Sequence, residues 1–335
     1  MISYFIFIIS IFFINFFFKK KEYLINNTGQ FHQKLSEENG VPLTGGIFLL
    51  IFFIFYLNQE LIFLIYLMVF FLIGIVTDLD IIKSPSKRFL IQILYLFLFV
   101  FYYDLSISNV RVDFINLLLL NKYFNIFFVL FCFLVLINGS NFIDGNNGLS
   151  IGYYSLIFLV LLLLSKNNTI IYDHQLIANF AICLFILLFF NLLNFFYLGD
   201  NGIYLISIFT GYILIDLFNQ NINLSPYFIV VLLWYPSFEL LFSILRKFKK
   251  QHSPMDSDIN HLHQLLFKSL KKKLTYSKNF LNSLTGLTIN FYNLIIFFLC
   301  CLKPSSTNFQ MILIILNIII YLLAYYLLNK SLKTN

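Results

Sequence analysis

Charge is scarce in this chain. Only 11% of its 335 residues are Asp, Glu, Lys or Arg, 60% are apolar, and the mean hydropathy is +0.87, outside the range of a water-soluble globular domain. Cysteine is nearly absent. The four present, Cys132, Cys183, Cys300 and Cys301, lie in apolar stretches without metal-type spacing, which excludes a disulfide framework and a structural zinc site and leaves packing as their role. A basic segment ahead of the first apolar run is missing too. Ile2 to Phe18 is followed, not preceded, by Lys19, Lys20 and Lys21, the reverse of a cleaved secretory signal. That run is expected to remain as an anchor, its N-terminus outside and its lysines in the cytoplasm. No internal repeat and no separate soluble domain is visible.

What the chain has instead is apolar windows from end to end. A bilayer span needs about 20 mostly apolar residues, because each backbone group must be satisfied within its own helix across about 30 Å of hydrocarbon. Candidate windows fall at 2–18, 41–57, 61–77, 89–103, 123–137, 149–164, 175–197, 203–218, 226–245, 284–302 and 309–328. The expected fold is therefore an all-α polytopic integral membrane protein: one transmembrane domain over 1–335 with about 11 transmembrane helices. A further span at 112–121 would invert everything downstream of it. Within the windows the only formal charges are Asp216 and Glu239. The segment 246–283 reads as a large basic cytoplasmic loop. In it, Leu262, Leu265, Leu266 and Leu270 alternate with Lys268, Lys271, Lys272 and Lys273, the pattern of a helix lying on the membrane surface.

The net charge of +7 raises nucleic acid as a partner, but the placement of the charges excludes it. With the N-terminus outside, the inside segments hold 18 of the 22 Lys and Arg, and only Arg111, Lys122, Lys166 and Lys303 fall outside. This is the positive-inside asymmetry of a multi-pass protein. The acids sort the same way. Asp78 and Asp80, Asp144, Asp200, and Asp256 and Asp258 each follow an odd-numbered span, so all are expected on the cytoplasmic face.

Five polar segments accompany those acids. Val41 to Gly46 carries Pro42, Gly45 and Gly46 and, taken alone, is a turn into a tightly packed helix. Gly74 to Asp80 is followed by Ser84-Pro85-Ser86-Lys87-Arg88 and Gln92. Asp78 there ends a helix whose dipole opposes it, so capping does not account for it. Asn138 to Leu149, with Asn138, Asn141, Asp144, Asn146 and Asn147 among three glycines, is more elaborate than a turn requires. Leu198 to Gly202 is a minimal turn in which Asp200 also fits an N-cap. Ser253 to Gln264 holds Asp256, Asp258, His261 and His263. On a regular helix Asp258 and His261 would share a face, whereas His261 and His263 would point apart. Separated carboxylates meeting at one face suit Mg²⁺, a hard ion that completes its shell with water and phosphate oxygens. Glycine-rich turns and basic groups suit phosphate.

These residues resemble the polyprenyl-phosphate N-acetylhexosamine-1-phosphate transferase family, glycosyltransferase family 4. The resemblance runs through Pro42 to Gly46 (Pro-x-x-Gly-Gly), Gly74 to Asp78 (Gly-x-x-Asp-Asp), Asn138 to Leu149 (Asn-x-x-Asn-x-x-Asp-Gly-x-Asp-Gly-Leu), Leu198 to Gly202 (Gly-Asp-x-Gly) and the histidine loop. It implies transfer of an N-acetylhexosamine 1-phosphate from a UDP-sugar to undecaprenyl or another polyprenyl phosphate, releasing UMP and initiating a lipid-linked cell-surface glycan such as O-antigen or cell wall. The implied catalytic residues are Asp78, Asp144 and Asp200, with Asp200 and Asp78 on the metal, Mg²⁺ or alternatively Mn²⁺. The implied substrate-binding residues are Gly45, Gly46, Thr77, Asn138, Asn141, Asn147, His261 and His263. The implied setting is a bacterial inner membrane with the active site on its cytoplasmic face, a homodimer being left open. Thr77 and Asn147 stand where the family pattern has Asp, and Asn191 to Tyr197 lacks the expected Pro and basic residue, which leaves room for a divergent member. Two other classes compete. A membrane transporter would use an acid inside a span, as Glu239 is. An intramembrane aspartyl protease would pair Asp173 with Asp200, but residue 197 is Tyr instead of Gly and the two acids fall on opposite faces.

Overall fold

The computed structural model describes residues 2–25, 40–57, 60–249, 251, 253 and 260–333. The described chain is helical throughout, with a lone antiparallel bridge between Ile25 and Pro42. In chain order the helices are α1 (Ile2–Lys21), α2 (Gly45–Tyr56), α3 (Leu61–Asp78), α4 (Pro85–Tyr102), α5 (Asp113–Leu119), α6 (Lys122–Ile143) and α7 (Leu149–Lys166). They continue as α8 (His174–Leu192), α9 (Gly199–Gln220), α10 (Pro226–Leu232), α11 (Trp234–Lys249), α12 (Leu262–Lys273), α13 (Lys278–Cys301) and α14 (Thr307–Lys333).

Among the described residues eight helices, α3, α4, α6, α7, α8, α9, α13 and α14, are long and apolar enough to cross a bilayer. The pair α10 and α11, bent by 75°, makes nine if it counts as one span. This is the architecture of a multi-pass membrane protein, and the described residues do not confirm the expected count of 11. Of the windows read from sequence, α1 closes on three lysines and α2 has only 12 residues, too few for a full crossing. The alternative span at 112–121 is the seven-residue α5, far too short to cross. The basic helix expected in 246–283 is α12, whose Leu265 and Phe267 are buried while Lys271, Lys272 and Lys273 are exposed. α12 packs on α13 and α14.

At the centre stands α9. Buried residues make up 83% of its span, against 17% for α14, which identifies α14 as a peripheral helix and α9 as the helix around which α2, α3 and α6 pack. In lipid there is no hydrophobic drive between helices, so close backbone approach and dispersion must hold them together. Two glycines of the sequence motifs provide the approach. A Cβ on Gly74 of α3 would lie 2.3 Å from Asn201 Cα, and one on Gly46 of α2 would lie 2.7 Å from the Gly202 nitrogen. Deeper in the bundle the contacts are aromatic: Phe209 of α9 lies 4.6 Å from Phe180 and 4.7 Å from Phe53, ring centre to ring centre.

The helix directions separate the polar groups into two ends. At one end α3, α6 and α8 finish and α4, α7, α9 and α13 begin; Lys83, Lys87 and Arg88 lie there, as do Lys330 and Lys333 at the close of α14. At the other lie Arg111, Lys122, Lys166 and Lys303.

Candidate active site

The first turn of α9 is where the motifs meet. Gly199 has φ +71°, a conformation costly for a side-chain-bearing residue, and the chain turns there into the helix. Asp78, the last residue of α3, reaches across. Its Oδ1 accepts from the Asp200 N–H at 2.9 Å, and its Oδ2 accepts from the Asn201 N–H at 3.0 Å and from the Asn201 side-chain amide. Capping therefore does account for Asp78, contrary to the sequence expectation. The acid is disfavoured by the dipole of α3, but its carboxylate accepts the free N–H groups of the first turn of α9, in place of a side-chain cap from Leu198, a contact of about 1 kcal/mol. The plain N-cap reading of Asp200 fails for the same reason, since its own carboxylate points elsewhere.

Asp200 Oδ2 pairs with Arg88 Nη1 at 3.1 Å, and its Oδ1 accepts from Asn141 Nδ2 at 2.7 Å. The Tyr204 hydroxyl stands 3.5 Å from Oδ2, one helical turn on from its partner. Arg88 owes its position to Ser84 and Pro85, which start α4 as N-cap and first helical residue. Asp144 follows the last residue of α6 and is only partly exposed. Ser150 Oγ donates to it, and the Gly199 N–H faces it. Desolvation pushes its carboxyl up to about 8; the Ser150 bond opposes that shift and the charge of Asp200 adds to it. Three carboxylates thus surround one helix start.

Apart from the histidines, the remaining expected residues sort into four groups. Asn141 touches Asp200, as above. Thr77 is buried, donates to Ile73 O at 2.9 Å and adjoins the Tyr204 phenol. Asn138 donates to Gln92 Oε1 at 3.2 Å, and Gln92 also adjoins Tyr204. Gly45 and Gly46 are buried against Leu198 and Asn201. Asn147 is fixed in a mesh of asparagines: its side chain donates to Asn194, while Asn146 donates to Asn282 and the Gly148 N–H donates to Asn191 at 2.6 Å. Asn290 closes the mesh on Gly148 O at 2.7 Å.

The histidines depart from the sequence geometry. His261 is the N-cap of α12 with extended backbone, φ −71° and ψ 152°, so helical spacing does not apply to it. The rings of His261 and His263 lie parallel within 6°, centres 5.5 Å apart, instead of pointing away from each other. His261 Nδ1 lies 3.0 Å from Glu239 Oε2, and the other oxygen of that fully buried carboxylate accepts from the Leu262 N–H at 3.0 Å. The His261 ring stands 4.9 Å from Phe142, and His263 lies against Gly145, so both join the 138–149 segment. Asp256 and Asp258 lie outside the described residues. Asp173 caps α8, with Oδ1 taking the Gln175 N–H at 2.8 Å. The 19 residues of α8, at about 1.5 Å each, separate it from Asp200, so no aspartyl-protease pair forms.

Arg88, Gln92, Ser150 and Tyr204 received no role from sequence. A usable signal existed: Arg88 and Gln92, like Asp200 and Tyr204, are four residues apart on a helix and so share a face. Residues 60–218 match the family model of glycosyl transferase family 4. The match spans a little under half of the chain. No curated protein matches the chain. The matched stretch includes all three carboxylates and the asparagine mesh from Asn146 to Asn194, begins after Gly45 and Gly46, and ends before Glu239 and the histidines.

Proposed function

We propose that this protein transfers an N-acetylhexosamine 1-phosphate from a UDP-sugar to a polyprenyl phosphate, at the end of the bundle where α9 begins. The family 4 match supports a glycosyl or phosphosugar transferase in general terms. The observation that carries the finer reading is the convergence of Asp78, Asp144 and Asp200, with Arg88, on the first turn of α9. Lysines crowd the same end, so by the positive-inside rule it faces the cytoplasm of a bacterial inner membrane, where nucleotides are supplied.

A divalent cation fits the donor set. Asp144 and Asp200 press on each other with hard oxygen donors, and a cation relieves that repulsion. Mg²⁺ is carried by one or two carboxylates and completes its shell with water and phosphate oxygens. We assign that role to Asp200 and Asp144. Asp78, expected as the second ligand, has its oxygens engaged by three N–H groups and holds the helix start in place. When bound, Mg²⁺ would neutralise the charge of the diphosphate.

In the reaction an oxygen of the prenyl phosphate attacks the sugar-linked phosphorus, the bond from that phosphorus to the bridging oxygen breaks, and UMP leaves. The acceptor's second pKa is about 6, so it is largely a dianion near neutrality and no residue has to take its proton. Thr77 therefore need not be an acid. Arg88 fixes Asp200 and adds positive charge, and His261, held by Glu239, would meet the nucleotide phosphates. Transport has nothing in its favour, since the buried acid it would use, Glu239, is tied to His261 and Leu262. The test is release of UMP by purified protein with undecaprenyl phosphate, Mg²⁺ and a panel of UDP-sugars. Folded protein inert toward all of them would overturn the assignment.

A further inference from the structure

Among the eight long apolar helices α14 buries the smallest share of its span, yet the stripe it buries is mostly polar. Gln310, Leu313, Asn317 and Tyr321 recur at intervals of three and four residues and so share one face. Gln310 donates to Cys300 O at 2.8 Å and to Lys303 O at 2.9 Å, and Asn317 accepts from the Tyr292 phenol at 2.5 Å. Those two residues fasten α14 to α13 and the turn after it, as polar contacts between helices do in lipid. Tyr321 reaches a different element. Its ring packs on Phe238 and Phe242 of α11, ring centres 4.9 Å and 5.5 Å away, and its phenol adjoins the Glu239 carboxylate. The phenol of Tyr235, one helical turn before Glu239, adjoins the same carboxylate.

The lone pairs of Glu239 account for both phenols. An ionised carboxylate accepts at about four positions, two on each oxygen. His261 Nδ1 takes one on Oε2 and the Leu262 N–H takes one on Oε1, each at 3.0 Å, which leaves one open on each oxygen. Glu239 is fully buried, so those positions are met from within the protein or not at all. Tyr235 and Tyr321 are 1% and 2% exposed, and among the described residues no other acceptor takes either hydroxyl. For anchoring α14 the ring alone would suffice; the hydroxyl is the group that needs Glu239. Resting on the transferase reading above, we propose that Tyr321 and Tyr235 are positioning residues for the UDP-sugar: their phenols donate to Glu239, and Glu239 so fixed holds the His261 ring by its Nδ1. Nε2 is then the ring nitrogen left for the nucleotide phosphates. By this route α14, the peripheral helix, sets the orientation of a substrate-binding side chain on the segment before α12.

The experiment uses full-length protein in nanodiscs, labelled with ¹⁵N-histidine, without substrate. The His261 ring signals, identified by their loss in His261→Ala, are expected to move in Tyr321→Phe and in Tyr235→Phe. They should stay in place in Tyr326→Phe, which alters a phenol that is 62% exposed on the same helix. Kinetics give a second readout. Each inner variant should raise KM for the UDP-sugar about fivefold, the worth of one hydrogen bond, with kcat and KM for undecaprenyl phosphate unchanged. In a Glu239→Gln background the Tyr321→Phe change should add less than about twofold, because both act through one carboxylate. Unmoved His261 signals in both phenol variants, equal changes in the two KM values, or full additivity with Glu239→Gln would overturn the proposal and leave Tyr321 as an anchor of α14, with the transferase reading intact. His261 signals that respond as expected in protein that transfers from no UDP-sugar would defeat the transferase reading while the chain from Tyr321 to His261 stands.

Discussion

Where α9 begins, carboxylates meet carboxylates. At the opposite end of the bundle the same residue types, asparagine and arginine, bind almost nothing but backbone. Arg111 there donates to Ser305 O at 2.9 Å, to Asn223 O and Leu224 O at 3.2 Å and to Thr307 Oγ1 at 2.7 Å, joining three connections with one guanidinium. Asn125 exchanges bonds with both backbone groups of Ile107, and Asn221 does the same with Ile171. At the α9 end Asn191 and Asn290 also hold backbone, that of Gly148, but Arg88 pairs with an acid, and Asn141, Asn138 and Asn147 reach other side chains. A polar group saturated by backbone locks a connection; one facing an acid leaves charge for a substrate to complete. Composition alone does not distinguish a structural end from a chemical one, but the identity of the partners does.

The sharpest way to break this contrast is at Asp200. Asp200→Asn should lower Mg²⁺-dependent UMP release on the order of a thousandfold with melting nearly unchanged, measured side by side by product assay and thermal unfolding in detergent. A comparable loss of melting temperature would make Asp200 a structural residue like those at the other end. Arg111→Met is the converse. It should cost about 1–2 kcal/mol of stability, allowing for the exposure of the side chain, with kcat retained; a fall in kcat beyond a few-fold would remove the distinction. His261→Ala should raise the UDP-sugar KM about tenfold, one charge-assisted bond, and Glu239→Gln should move it in the same direction by less. Thr77→Val should stay within about threefold of the native rate, and Thr77→Asp should be slower, because a further carboxyl beside Tyr204 and Asp200 adds repulsion. A gain with Asp would show that a base is needed there.

The smallest effect concerns Asp144. Its carboxyl is pushed up to about 8 in the folded chain from a reference near 3.8. Between those values the folded state binds more protons than the unfolded one, so in the absence of divalent cation stability falls as pH rises through this window and levels off above it. Asp144→Asn should flatten that slope in melting curves from pH 4 to 8, and Mg²⁺ should flatten it in the native protein.

Sequence made the helical class, the segregation of basic residues and the meeting of Asp78, Asp144 and Asp200 legible, because these depend on hydropathy windows and on parity along the chain. Three things lay beyond it. Asp78 was misread because the dipole considered was that of its own helix, whereas the helix it serves starts 122 residues later. The histidine pair was misread because an N-cap residue leaves helical geometry, and only the fold shows where α12 starts. The count of spans was not settled, because windows measure apolarity, and α2, although apolar, has 12 residues. Arg88 was visible but unassigned, since a basic residue after a span reads first as a topology signal.

The bond from Asp78 to the start of α9 also bears on how the molecule is made. Its two ends lie 122 and 123 residues apart, and at about 5–20 residues per second of synthesis the carboxylate emerges roughly 6–24 seconds before the N–H groups that will receive it. During that interval α3 ends in an acid at odds with its own dipole. Gly46 and Gly74 present bare backbone grooves to lipid until α9 arrives to fill them. Assembly of the α9 end is therefore completed late in biogenesis, and a nascent chain released before residue 201 would hold the helices up to α8 without the N–H groups that fix Asp78.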